Sequence, residues 1–210
     1  MPVISVSATD LKNLIGRKMT DEELKTILPL NKLEIDSWNG DEIKIEVTPD
    51  RPDLYSPEGI ARQLRAWMCI KTGPPSHIVS RPVINIKAEN VSLRPHIVAG
   101  VVRGLKMNDY LIKSLMQLQE MVDLTLGRDR KKVAIGVHDL RDVKPPLRYT
   151  EVRPVEISFV PLGSDREMNL SQILEKHPKG IQYRHLMKGN KYPVLLDSSG
   201  NVLSFPPIIN

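Results

Sequence analysis

The sequence predicts an α+β chain: a small N-terminal α+β domain over residues 1–80, followed by a larger mixed α/β domain over residues 81–210. Three observations predict it. Apolar residues alternate with period two at Ile43, Ile45 and Val47, the mark of a strand with one buried face. They recur at helical spacing at Ile60, Ala61, Leu64, Trp67 and Met68, and again at Leu111, Leu115, Leu118 and Val122. Between the two periodic regions, residues 71–82 (KTGPPSHIVSRP) mix Gly, Pro and Ser, the composition of a linker, which places the break near Ser80.

The elements follow in chain order. Ser7 is placed to cap a helix bearing Leu11, Leu14 and Ile15. Thr20 and Glu23 have capping-box spacing before Leu24, Ile27 and Leu28, and Pro29 closes that pattern. After the strand at 43–47, the run TPDRPDLYSPEGIAR (48–62) holds three prolines, each locking a backbone angle, with Asp50, Arg51 and Asp53 on the turn. An Arg between two acids on a rigid turn reads as a structural ion-pair knot more readily than as an acid site. Ser56 caps the next helix, with Pro57 at its first position and Glu58 near the positive end of the dipole. In the second domain, residues 83–86, 97–102 and 133–137 read as strands, and the helix carrying Leu111 runs to a stop at Gly127. Val155, Ile157 and Phe159 alternate. Asn169 and Gln172 cap a helix bearing Leu170, Ile173 and Leu174. Strands at 194–196 and 202–205 flank DSSGN, a hairpin turn. The apolar ending SFPPIIN (204–210) reads as the interior of a longer chain, with the second domain incomplete.

Composition narrows the function classes. Lys and Arg number 30 against 25 Asp and Glu, a net charge of +5 that suits an anionic partner such as RNA without requiring one. Aromatic residues make up only 4%, so aliphatic side chains and Met must fill the core. The single cysteine, Cys69, permits no internal disulfide and suits a reducing, cytoplasmic setting. It lies in the apolar run AWMCI and is expected to be a buried, inert thiol. No Cys/His spacing suggests a metal site, no glycine-rich phosphate loop occurs, and GxSxG and HExxH are absent. No apolar run approaches membrane-spanning length, and no membrane association is expected.

Two groups of residues carry candidate chemistry. His138 follows the strand at 133–137. Gly136 lets another group approach the backbone closely, and Asp139 can orient the imidazole. Spacing alone favours a surface histidine. Arg128, Arg130, Lys131 and Lys132 put four cations into five positions just upstream, suited to a phosphate backbone, although a solvated turn is the commoner reading. His177, Lys179 and His185 are either surface residues or parts of the same pocket.

Four segments in order, TPDRPDLYSPEGIAR, LGRDRKKVAIGVHDL, EKHPKGIQYRHL and NVLSFPPIIN, resemble the N-terminal part of phenylalanine–tRNA ligase beta subunits of the archaeal and eukaryotic type. The resemblance spans the whole chain. It implies a small N-terminal domain followed by an editing domain that hydrolyses tyrosine wrongly attached to tRNA(Phe), inside an aminoacyl-tRNA ligase. It also implies an alpha-subunit partner in an alpha2beta2 heterotetramer, with ATP and magnesium serving the full ligase and no cofactor in this segment. By family position, GVHD puts His138 in the editing pocket as the catalytic residue, orienting the attacking water or the terminal ribose. Ser204 and Asn210 flank the PPII segment, which resembles a pocket wall, and with Gly136 they are expected to bind substrate. Arg128, Arg130, Lys131 and Lys132 are expected to contact tRNA by their charge, with no individual role carried over from the family. The alternative from a different class is a non-catalytic scaffold that binds tRNA and the rest of the ligase. A free-standing deacylase is a third reading, and it requires Asn210 to be the true terminus.

Overall fold

A computed structural model describes residues 2–210. They fall into two compact units. The first joins the chain up to Ile78 with Leu105–Lys132, and the second joins Val79–Gly104 with Val133–Asn210. The architecture is α+β, as the sequence predicts.

The first unit runs β1 (Val3–Ser7), α1 (Ala8–Ile15), α2 (Asp21–Leu30), β2 (Leu33–Asn39), β3 (Glu42–Val47), α3 (Pro57–Trp67) and, after a long excursion of the chain, α4 (Asp109–Leu124). The expected caps form. The Ser7 hydroxyl accepts from the Asp10 amide at 3.0 Å. Thr20 and Glu23 exchange the two bonds of a capping box, and Ser56 accepts from the Gly59 amide at 3.2 Å. Pro29 is held inside the last turn of α2, which ends at Leu30. The sheet is antiparallel in the order β1-β3-β2, with Ile45 opposite both Ile4 and Ile35. Alternation puts Ile4, Ile43, Ile45, Val47 and Leu33 wholly inside, packed on Leu11, Ile15, Leu24, Leu28 and Leu64 of the helices. Each such side chain contributes about 1.5–3 kcal/mol of burial.

The proline-rich run is part of this core. Pro52–Leu54 form a single 3-10 turn, and Leu54 and Tyr55 are fully buried. Arg51 donates from Nε and Nη2 to the two oxygens of Asp53, at 3.0 and 2.8 Å, and from Nη2 to Gln63 Oε1 at 3.1 Å. Gln63 in turn donates to Asn31 Oδ1 at 3.2 Å. The ion pair therefore ties the turn to α3 and to the end of α2, the structural role expected of it.

α4 departs from the expected domain division, because it packs with the first unit. Gln117 closes the open edge of β1: its Oε1 accepts from the Ser5 amide at 2.9 Å, and its Nε2 donates to the Ser5 carbonyl at 3.2 Å. Leu118, Met121 and Val122 pack against the first core. The apolar stripe of α4 is a local property, but which core it meets is a long-range one. The helix stops at Leu124, three residues before Gly127. Cys69 is exposed, against expectation. α3 ends at Trp67, and Cys69 lies beyond it at φ 57° with its amide bonded to Ala66, so the thiol is past the buried face.

The second unit runs β4 (Ile86–Ala88), β5 (Leu147–Val152), β6 (Ser158–Phe159), β7 (Met168–Asn169), α5 (Leu170–Lys176), α6 (Pro178–Tyr183), β8 (Tyr192–Leu196) and β9 (Val202–Ser204). Its main sheet has the order β4-β5-β8-β9, parallel only between β4 and β5. The faces separate cleanly. Val194 and Leu196 pack with Leu170, Ile173 and Phe205, whereas Leu195 packs with Leu147, Tyr149 and Val91. The DSSGN turn is held by Asp197, whose Oδ1 accepts from the Ser199 and Asn201 amides, both at 2.9 Å. Three strand expectations fail. Residues 97–102 and 133–137 form no ladder, and of 83–86 only Ile86 joins one. Val98 and Val137 are exposed. These segments have strand composition, but strand structure requires a partner strand at hydrogen-bonding distance. Among the described residues no helix is long and apolar enough to cross a membrane.

Candidate functional site

Four of the residues singled out in the sequence, Gly136, His138, Ser204 and Asn210, come together within the second unit. Ser204 ends β9. The chain then folds back on itself. The Phe205 amide donates to the Ile209 carbonyl at 2.7 Å, and the Ile209 amide returns a bond to Phe205 at 3.1 Å. Phe205 and Ile208, fully buried in the core around α5, anchor this return. The FPPII segment is apolar because it is packed, and its packing delivers Asn210 alongside Ser204. The Ser204 hydroxyl donates to Asn210 Oδ1 at 3.1 Å. A second clasp holds Asn210 by its backbone, where its carbonyl accepts from the Leu162 amide at 3.0 Å.

Gly136, itself exposed, lies against the side chains of Asn210 and His138. A methyl group there would stand 3.0 Å from Asn210 Oδ1, 3.3 Å from Asn210 Nδ2 and 3.1 Å from His138 Nε2. Its φ is outside the left-handed region, so space is what requires glycine here. Ser204 is buried; His138 and Asn210 are half-buried. Burial holds the His138 pKa below its ordinary value, so the imidazole is neutral near pH 7. Asp139 does not orient it. Both carboxylate oxygens of Asp139 are engaged by the Arg141 side chain and amide, at the surface. The result is a neutral imidazole and a carboxamide beside a glycine, with a hydroxyl bonded to the carboxamide. Such a set can hold a water molecule, accept a proton and donate hydrogen bonds to a developing oxyanion.

His177 and His185 stand apart in role. His177 is buried at the junction of α5 and α6. Its Nδ1 accepts from the Lys179 amide at 3.2 Å, and Nε2 lies 3.2 Å from the Leu162 carbonyl. It caps α6. His185 Nδ1 lies 3.2 Å from the Gln182 carbonyl. The basic run belongs to the first unit. Arg128, Lys131 and Lys132 are exposed, but Arg130 is not: its Nε lies 3.2 Å from Asp123 Oδ2, with both side chains buried. The expectation of Arg130 as a surface phosphate contact is thus corrected by its burial against Asp123. Sequence reasoning missed Asp123 and the Leu162 clasp. Asp123 carried no local signal, because it is an ordinary acid on a helix until the chain returns to it seven residues later. Among the described residues no group of three or more His, Cys, Asp or Glu is arranged to hold a metal ion.

Residues 1–69 match the family described as the Phe-tRNA synthetase beta subunit B1 domain. The whole chain is 44% identical to the phenylalanine–tRNA ligase beta subunit of Methanocaldococcus jannaschii and 48% identical to that of Methanosarcina barkeri, covering 39% of each. The chain therefore spans about two fifths of the length of these curated relatives. A solved N-terminal fragment of the phenylalanyl-tRNA synthetase beta subunit from Pyrococcus horikoshii superposes with a TM-score of 0.94 at 40% identity, over 100% of this chain and 62% of that one. With its fold, its full-length match and its ordered motifs in agreement, the chain is similar over its whole length to phenylalanine–tRNA ligase beta subunits, and to the N-terminal fragment solved for one of them.

Proposed function

We propose that this chain acts within phenylalanine–tRNA ligase as the editing part of the beta subunit, hydrolysing the ester that joins tyrosine to tRNA(Phe). The observation that carries the reading is the convergence of His138, Asn210 and Ser204 over Gly136. The need is physical. A pocket built for phenylalanine rejects an isostere bearing one extra hydroxyl by only about a hundredfold, so a second site must recognise that hydroxyl and remove the product. On this reading His138, neutral because it is buried, takes a proton from the attacking water. Ser204 occupies the Asn210 amide oxygen, which leaves the Asn210 amino group to donate to the oxyanion or to the tyrosine hydroxyl. An alpha subunit, an alpha2beta2 assembly and the ATP and magnesium chemistry of aminoacylation belong, on the same reading, to the rest of the ligase. Deacylation of tyrosyl-tRNA(Phe) by the ligase carrying His138→Ala tests it. A loss of about 100-fold or more is expected for a general base, and unchanged hydrolysis removes His138 from the mechanism.

A scaffold reading is favoured by one different observation, the exposed cations Arg128, Lys131 and Lys132 in the first unit. Incubating the 210-residue chain with mischarged tRNA separates the two, since binding without turnover favours the scaffold.

A further inference from the structure

The segment after α4 holds a run of unfavourable backbone conformations. Arg128, Asp129 and Arg130 have φ of 48°, 56° and 61°, three successive non-glycine residues in the left-handed region. Side chains disfavour that region, and single visits are already uncommon. Two latches between the same residues hold the segment. The Arg130 amide donates to the Asp123 carbonyl at 3.1 Å, and the Arg130 guanidinium pairs with the Asp123 carboxylate at 3.2 Å, out of solvent. Neighbouring amides are also used internally: Gly127 to Val122 at 2.8 Å, Asp129 to Leu124 at 3.1 Å, and Lys132 to Gly127 at 2.7 Å. The left-handed turn is thus built, closed and pinned to the last turn of α4.

What it displays is charge. Arg128, Lys131 and Lys132 are exposed around the pinned Arg130, and among the described residues none of the three forms an ion pair. A solvated turn would need neither a buried ion pair nor three left-handed residues. Strain of this kind persists where surrounding structure enforces it, and it marks sites that must be held in one shape.

The geometry points to the 128–132 turn as a preformed clamp for RNA backbone phosphates, in which Arg128, Lys131 and Lys132 make the contacts while Arg130, through Asp123, is a positioning residue. Because the turn's amides are spent internally, recognition is by side-chain charge, independent of base sequence. The inference rests on the tRNA-directed reading above and gives it a second, separate contact surface.

Titrating the chain with unmodified tRNA(Phe) transcript across a salt series tests it. The triple variant Arg128→Gln, Lys131→Gln, Lys132→Gln changes only exposed side chains. It is expected to bind at least tenfold more weakly, with the slope of log K against log salt shallower by about 2, as three lost phosphate contacts require. An unchanged slope and affinity overturn the clamp. Asp123→Asn separates positioning from charge. It makes the chain more positive, which by charge alone tightens RNA binding, whereas loss of the pin weakens it by at least about threefold, with Asp123→Glu closer to the parent. A folded Asp123→Asn chain that binds as tightly as the parent overturns the positioning role, and if that variant does not fold the triple variant decides alone. A parent chain that binds no tRNA overturns the functional reading as well. Loss of editing in His138→Ala with an unchanged triple variant overturns only the clamp.

Discussion

The Ser204 hydroxyl donates to the Asn210 amide oxygen at 3.1 Å, joining the end of β9 to a residue that the buried FPPII return brings back beside it. The bond sets which way the Asn210 carboxamide faces. Ser204→Ala is expected to slow hydrolysis of tyrosyl-tRNA(Phe) by about tenfold, the scale of one neutral hydrogen bond. Asn210→Ala removes the donor itself and is expected to cost about 100-fold or more. Single-turnover deacylation rates for the two variants check the order, and equal losses would detach Ser204 from the orientation of Asn210.

Gly136→Ala puts a methyl 3.0 Å from Asn210 Oδ1 and 3.1 Å from His138 Nε2. Both neighbours are tips of flexible side chains, so they yield and the fold survives. The expected result is a stability change within about 1 kcal/mol with deacylation reduced at least about tenfold by misplaced groups. Urea midpoint and rate, measured on the same preparation, give the answer.

The pH dependence follows from His138. Burial disfavours its imidazolium, so its pKa in the folded chain lies below about 6.5, the value of the unfolded chain. Unfolding therefore takes up a proton between the two values. The associated stability is whole above about 6.5 and declines as pH falls toward the folded pKa. The hydrolysis rate is expected to share this acidic limb, with a midpoint below about 6.5. His138→Ala abolishes the limb in both. A rate profile with its limb above pH 7 would contradict a buried neutral base.

Gly59 inverts a common expectation. Glycine inside a helix is normally worse than alanine by about 0.5–1 kcal/mol, so its replacement should stabilise. Here a Cβ would stand 1.8 Å from the Asp53 carbonyl oxygen, which is backbone and cannot swing aside. Gly59→Ala is expected to destabilise the chain by at least about 3 kcal/mol, forcing the 3-10 turn away from α3. Chemical denaturation reads this directly, and a stabilised variant would show that the turn is free to move.

Legibility differed from element to element for physical reasons. The caps at Ser7, Thr20, Ser56 and Asn169 are bonds between residues three apart, and all four form where the sequence puts them. Residues 133–137 have the alternation of a strand yet form none, since a ladder depends on a partner strand that the segment itself does not specify. Cys69 was misread because an apolar run continues past the point where α3 ends. Arg130 was misread because charge in a basic run looks uniform until one member finds a buried acid. The grouping of Gly136, His138, Ser204 and Asn210 came from resemblance, and spacing alone favoured a surface histidine.

The sequence by itself determined the α+β class, the helix starts, the rigid proline turn and the family resemblance, because these are written in local bonding, periodicity and ordered motifs. Tertiary structure alone decided that α4 packs on the first core, that Arg130 is a buried pin while its neighbours face solvent, and that Asn210 and His138 share the space over Gly136. Each of these depends on which surfaces meet after long stretches of chain have closed, and closure is settled by the sum of burial across a whole unit rather than by the residues beside it.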